Sequence, residues 1–599
     1  MDKKLRDRKD IDDKYKWKLE DIYESDKEWK DDFDKAKEII RQLSDFKGKI
    51  KDAESLLAVL KINDALQMVI EKLFVYARMK RDEDNSNGKY QALTDKAMRI
   101  NVEASSAASF ITPEILSMDE KILKDCIENN DAFIDYRHFL EDLLRYKPHT
   151  LSDKEEMILA ESEVMAHSPE NIFKMLDNAD IRFPSIEDED GDLVELTHGN
   201  YIKYVSSKNR DVRKKAFESL YSVYKNFANT YAAMTDSNVK KDVFYSKIRN
   251  YKTSLEASLF DDNVPVSVYD NLIWTIHERI DLLHRYVSIR KRMLNLDELH
   301  MYDLYVPLVA DFDKEYEYEE AKDIVIKALE PLGNEYVSIL KEGFDNRWID
   351  VYENRGKTSG AYSWGTYGVH PFVLLNFQGK LDDVFTIAHE MGHSLHTYYS
   401  DKAQKYINSH YKIFVAEVAS TCNESILIEY FLKNAKDKSE KMYLLNHYLE
   451  QFKGTIFRQV MFAEFEKYTH EEAEKGEALT AEKLCQKYHE LNQFYYGNDI
   501  IIDDEIDYEW ERIPHFYSSF YVYKYATGFS AAVALSQMIL NEGDAAVERY
   551  IEFLKSGGSD YPLNILKKAG VDLTTKKPIL EALNVFEDIL DEMENLLDR

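Results

Sequence analysis

Glycine and proline are both scarce, 20 and 11 in 599 residues. So few breakers exclude a protein of many short strands and tight turns, and predict long helices with little sheet. Cysteine is scarcer still. Cys126, Cys422 and Cys485 lie far apart and form no Cys-x-x-Cys pair. A disulfide framework is therefore not expected, and a reducing, cytoplasmic setting is. Basic side chains number 79 against 111 acidic ones, a net charge of -32. A polyphosphate partner needs a basic footprint, so neither nucleic acid nor an anionic membrane surface is expected as a partner. No run of 18 apolar residues occurs, so no membrane-spanning helix is expected. The charged start, Met1-Asp2-Lys3-Lys4, also lacks the apolar stretch of a signal peptide.

A chain of this length predicts at least two domains, since single cores stop growing at roughly 250–300 residues. Residues 1 to about 180 read as helix almost throughout. Leu56 to Leu60, followed by apolar residues at 66, 69, 70, 73 and 74, repeat at helical spacing. A run near Leu140 to Tyr146 ends before Pro148, and Ser152 with Glu155 can cap the next helix. Stretches 181–186 and 193–197 flank the acidic turn 187–192, which predicts a β-hairpin. A calcium-loop reading of that turn fails, because its first ligand position is Ile186. From about 200 onward the chain is helical again, apart from expected strands at Trp348–Tyr352 and Val369–Phe377 around a loop over Gly356–Gly365.

The chemistry centres on His389-Glu390-Met391-Gly392-His393. Two histidines four apart on a helix share one face and can reach one ion. Glu390, offset by one residue, can reach a water held there. Apolar Val384, Phe385, Ile387, Ala388, Met391 and Leu395 support the helix, with Asp382 or Asp383 at its start. Gly392 allows close approach of a substrate or a packed neighbour. With 16 histidines in the chain the pattern arises too often by chance to stand alone, and a catalytic zinc site needs a third protein ligand. The metzincin version requires Gly at 396 and His at 399, where this chain has His396 and Tyr399. Glu417 is the better candidate. It and Glu424 sit seven apart in the apolar segment Phe414–Glu424, where a carboxylate is costly unless paired or bound to metal. Glu417 is expected as the third ligand and Glu424 as an acceptor from a ligand histidine. The competing reading makes both carboxylates members of buried salt bridges. His396 is expected to pack beside the site rather than ligate.

Taken together, these motifs resemble oligoendopeptidase F, of the thimet-type oligopeptidase family of zinc metallopeptidases. The likeness extends to Ala416–Ser420, to the aromatic run from His515 to Gly528, to Tyr362–Phe377 and to Phe183–Ile186 with its acidic turn, and spans essentially the whole chain. The resemblance implies a mainly α fold, a two-domain helical bowl or clamshell with a deep internal channel and a small β-sheet beside the His389–His393 helix. It implies one Zn2+ and cleavage of internal bonds in short peptides. The expected division is residues 1–198, a helical domain ending in the hairpin, and 199–599, the catalytic domain.

In that scheme Glu390 is the general base. Relatives stabilise the oxyanion from a tyrosine-rich segment, and the register falls on Tyr521 and Tyr523. Gly365, Gly368 and His370 are expected to offer a strand edge to an extended peptide, and His515, Tyr517 and Tyr525 to line the substrate site. Half of these aromatics must serve as core instead. The alternative is an exopeptidase of the same superfamily, resembling a dipeptidyl carboxypeptidase. A binding protein that has lost activity would show damage among His389, Glu390, His393 and Glu417, and all four are present.

Overall fold

Long helices dominate the chain, as the shortage of breakers predicts. The computed structural model describes residues 5–309 and 314–598. The principal helices begin with α1 (Asp26–Ser44), α2 (Ala53–Asp82) and α3 (Gly88–Ala108). A pair of strands, β1 (Ser185–Glu187) and β2 (Leu193–Glu195), precedes α4 (Arg210–Ile248). Then come β3 (Leu299–His300), α5 (Gly333–Asp345), β4 (Ile349–Asp350), β5 (Tyr362–Trp364) and β6 (Phe372–Leu374). They are followed by α6 (Leu381–Ala403), α7 (Ile413–Asn434), α8 (Arg458–Glu474), β7 (Ile500–Ile501) and α9 (Tyr523–Glu542).

Two compact units are interleaved along the sequence. The first takes the residues up to Lys147, Lys314–Tyr430 and Ala532–Val571; the second takes Pro148 to residue 309, Phe431–Ala531 and Asp572 onward.

In the first unit, α2 starts where Asp52 accepts the Ser55 N–H at 2.9 Å, and it buries the predicted stripe of Leu56, Val59, Leu60, Leu66, Val69, Ile70 and Leu73. A three-stranded sheet has the order β4-β6-β5, with β4 parallel and β5 antiparallel to β6. Phe372 and Leu374 of β6 join the core formed by the N-terminal helices. Two expectations are corrected here. The supposed loop over 356–365 contains β5, and β6 is paired on both sides, so it offers no edge. The outer strands are β4 and β5; residues 15–18 bond beside β4, whereas β5 has no backbone partner but β6 among the described residues.

The first described residues strap the sheet. Val351 N–H donates to Tyr15, Lys18 N–H to Arg347 and Arg355 N–H to Arg6, at 3.0, 2.8 and 2.9 Å. Trp17, buried, meets the rings of Tyr362 and Phe372. Arg8 and Lys357 both pair with buried Asp350, at 2.5 and 2.8 Å. Lys357 also donates to the carbonyls of Tyr352 and Leu375, at 2.8 and 2.5 Å. Charges this deep persist only when each has such partners.

In the second unit, β1 and β2 form the predicted antiparallel hairpin, with Ile186 opposite Val194. Asp188 closes its turn by accepting the N–H groups of Asp190 and Asp192, both at 3.0 Å. α4 buries a row of tyrosines, of which Tyr224 and Tyr231 donate to Asp177 at 2.9 and 3.2 Å. The parallel pair of β3 with β7 was not anticipated; each strand has two residues, too few for a pattern. No described helix is long and apolar enough to cross a membrane.

Candidate metal centre

α6 carries the first three residues of interest. Its start is fixed by Asp383, which accepts from the N–H groups of Lys380 and Gln378 at 2.8 and 3.1 Å. Val384, Phe385, Ile387, Ala388, Met391 and Leu395 are all buried and hold the helix in the core. His389 and His393 then project from one face, with their Nε2 atoms 3.2 Å apart.

α7 supplies the fourth. It crosses α6 at Gly392, where a Cβ would lie 2.6 Å from Ser420 Cα and 2.9 Å from the Ala419 carbonyl. That approach, of a packed neighbour rather than a substrate, carries Glu417 to the histidines. Its Oε2 lies 3.3 Å from each Nε2. The crossing is tied by Asn423, fully buried, which donates to the Ala388 carbonyl at 3.0 Å and accepts from the Tyr336 hydroxyl of α5 at 2.9 Å. Asn423 escaped the sequence reading; a lone amide in an apolar helix was the available signal.

The three ligand atoms therefore form a triangle with edges of 3.2, 3.3 and 3.3 Å. Ligands around a tetrahedral ion with bonds of about 2.0 Å lie about 3.3 Å apart. Two imidazole nitrogens and a carboxylate oxygen so spaced fit an ion of that size without rearrangement. Glu424 accepts from His389 Nδ1, which leaves the Nε2 lone pair facing the cluster.

Electrostatics agree. Burial opposes charge on His389, but the carboxylates of Glu417 and Glu424 outweigh it and push the imidazole up to about 10. Burial likewise opposes ionisation of Glu417, and the two histidines hold its carboxyl well below the usual range. In the metal-free cluster His389 thus holds a second proton against ionised Glu417, and a cation takes the place of that proton to expose the Nε2 lone pair. Glu390, buried, is raised by desolvation, with His389 and His393 opposing. His396 is stacked on Tyr411 with ring centroids 3.7 Å apart, and burial pushes it down to about 3, so it packs beside the centre.

The other candidates divide. Gly365 is wedged against Pro371 and Gly368 makes a turn at φ +85°. His370 does not face outward. It stacks on Trp348 at 4.8 Å and bonds to Asp21 at 3.1 Å. In the second unit, His515, Tyr521 and Tyr525 come together, half-buried, with His515 Nε2 and the Tyr525 hydroxyl 3.2 Å apart. Tyr523 and Tyr517 are corrections. Tyr523 is 0% exposed beside Tyr269, and Tyr517 is stacked on Phe173 at 4.5 Å. The reason is local. A short 3-10 helix over Pro514–Tyr517 gives way to irregular chain until α9 begins at Tyr523, and Phe520 sits at φ +56°, held by a 2.7 Å bond from its N–H to buried Glu466. No regular period runs through this segment to predict which rings face out.

The sequence profile of Peptidase family M3 matches residues 203–585, and that of Oligopeptidase F matches residues 114–183. The chain is 50% identical to Oligopeptidase PepF of Bacillus subtilis (strain 168), over 99% of this chain and 89% of that one. It is 42% identical to an Oligoendopeptidase F homolog of Lactococcus lactis subsp. lactis (strain IL1403), over 99% of each. Among solved structures, oligoendopeptidase-F from Enterococcus faecium matches with a TM-score of 0.74 at 39% identity, over 96% of this chain and 99% of that one. A Chlamydophila abortus protein matches with a TM-score of 0.92 at 37% identity, over 99% and 100%.

Proposed function

The chain belongs to peptidase family M3, as an oligopeptidase F homologue and a metallopeptidase, and from that premise we propose that it cuts internal bonds of short peptides with one zinc ion held by His389, His393 and Glu417. The observation that carries the reading is the triangle of ligand atoms, whose edges suit a tetrahedral ion. When bound, zinc supplies Lewis acidity, making water more acidic and polarising a carbonyl oxygen.

The chain's own groups do the rest. A carboxylate oxygen of Glu390 takes the proton of the attacking water and passes it to the nitrogen of the leaving amine. Its raised pKa suits that exchange, because a base must also be able to give the proton back. Glu424 keeps the proton of His389 on Nδ1. The free edge of β5 aligns an extended substrate through its backbone groups. For the oxyanion, the reading assigns the Tyr521 hydroxyl, supported by the family's tyrosine-rich segment and by its partial exposure near His515 and Tyr525. The matched stretches support a functional division near residue 198.

Mass spectrometry of short synthetic peptides tests this. Zinc-loaded enzyme is expected to cut internally, chelated enzyme and Glu390→Gln not at all, and metal analysis to give one zinc per chain. Persistent cutting by Glu390→Gln would overturn the mechanism. Release of C-terminal dipeptides alone would favour the exopeptidase alternative.

A further inference from the structure

Along α6 from the metal centre lies a cavity of about 400 Å3. Trp364 and Gly365, at the end of β5, line it together with Thr397 and Asp401 of α6; Glu71 of α2 and His410 are among the rest of its lining. Glu390, Ser394, Thr397 and Asp401 are spaced to share one face of the helix. Ser394 meets Ser363 of β5, with the hydroxyls 2.8 Å apart. β5 therefore lies beside α6 at this point, and its end, Trp364 and Gly365, is at the cavity. A peptide added antiparallel to the free edge of β5 would direct its N-terminal part there.

The distance is also set. Asp401 stands eight residues beyond His393, about 12 Å along a helix rising about 1.5 Å per residue. An extended peptide covers that in about three to four residues.

The charge of the cavity is unbalanced. Glu71 accepts from the Tyr367 N–H at 3.1 Å and faces the His410 imidazole at 3.4 Å. No lysine or arginine among the described residues pairs with Glu71 or Asp401. Burial and the neighbouring Glu71 push the Asp401 carboxyl up to about 7, with His410 opposing. The His410 imidazole is drawn to Glu71, which leaves Asp401 without a cation of its own and able to ionise against one that enters, and the size of the space suits a side chain or chain end rather than a bare ion.

We propose that this cavity is a subsite for an ammonium group of the peptide, about three to four residues N-terminal to the bond cut, with Asp401 as its principal partner. The inference rests on the peptidase reading above. The group is either a lysine side chain or a free α-amine.

The test uses the full-length zinc enzyme and an acetylated peptide cut at one bond, with a single lysine moved stepwise through the positions before that bond. A second arm compares free and acetylated N-termini at matching lengths and so separates the two sources. Wild type is expected to show kcat/KM about tenfold higher with the charge at the third or fourth position than with a neutral residue there, as for a hydrogen bond to a charged group. Asp401→Asn is expected to erase the preference, and Asp401→Lys to reverse it in favour of glutamate. A wild type indifferent to the position of the charge would overturn the proposal, as would an Asp401→Asn enzyme with the preference intact. Binding of the same peptides to Glu390→Gln reads the subsite apart from cutting. A lysine preference in binding without any cutting by wild type would overturn the peptidase reading and keep the subsite.

Discussion

Glu424 matters at the residue scale without touching an ion. Its carboxylate accepts a hydrogen bond from the Nδ1–H of His389 and so decides which nitrogen faces Glu417 and His393. Glu424→Gln is expected to weaken metal binding about 10- to 100-fold while the chain stays folded, measured by competition with a chelator. Unchanged affinity would mean that the helix alone orients the ring. At this scale much was legible. Histidines four apart share one face of a helix and can there meet one ion, and two carboxylates in an apolar helix demand a partner. Tyr523 and Tyr517 were not legible. Their burial follows from the irregular turn at Phe520, which an anchor on a distant helix, Glu466, holds in place.

Among elements, the crossing of α6 and α7 decides whether Glu417 arrives. Gly392→Ala would press a methyl group onto the Ser420 backbone at 2.6 Å, where no side chain can swing aside. The expected result is a loss of metal affinity of tenfold or more, since α7 must retreat with Glu417, together with a lower melting temperature. Gly454→Ala, with open space around it, is the control and should change neither. The helix pair was predictable from apolar spacing, but its close approach was not, because a glycine in a sequence does not say what lies opposite. β5 was hidden for another reason. It has three residues, and its partner β6 lies across a turn containing Gly365 and Gly368.

Across the whole molecule, a net charge of -32 makes each buried carboxylate a question of pH. Glu511 in the second unit is 2% exposed, and neither of its oxygens has a hydrogen-bond partner. Burial pushes its carboxyl up to about 9. In the unfolded chain the same group ionises near pH 4.3, so between about pH 5 and 9 folding takes up a proton, and stability falls as pH rises. The fall is about 1.4 kcal/mol per pH unit at most. Glu511→Gln, an isostere of the protonated acid, is expected to stabilise the chain, more at pH 8 than at pH 6. Melting curves at the two pH values check this, and an equal shift at both would show that burial does not hold the proton. The interleaving of the two units was not legible at all, since nothing in a local pattern says that residue 147 and residue 314 adjoin the same core.

The strap that joins Arg8, Tyr15 and Trp17 to the sheet has a consequence in time. A ribosome releases Trp17 about 350 residues before its partner Phe372, and at about 5–20 residues per second that is a wait of roughly 20 to 70 seconds. For that interval the indole and the Arg8 guanidinium have Glu83 and the N-terminal helices to meet, but not the sheet. The N-terminal helices of the first unit can therefore pack well before the sheet that carries the β5 edge is complete.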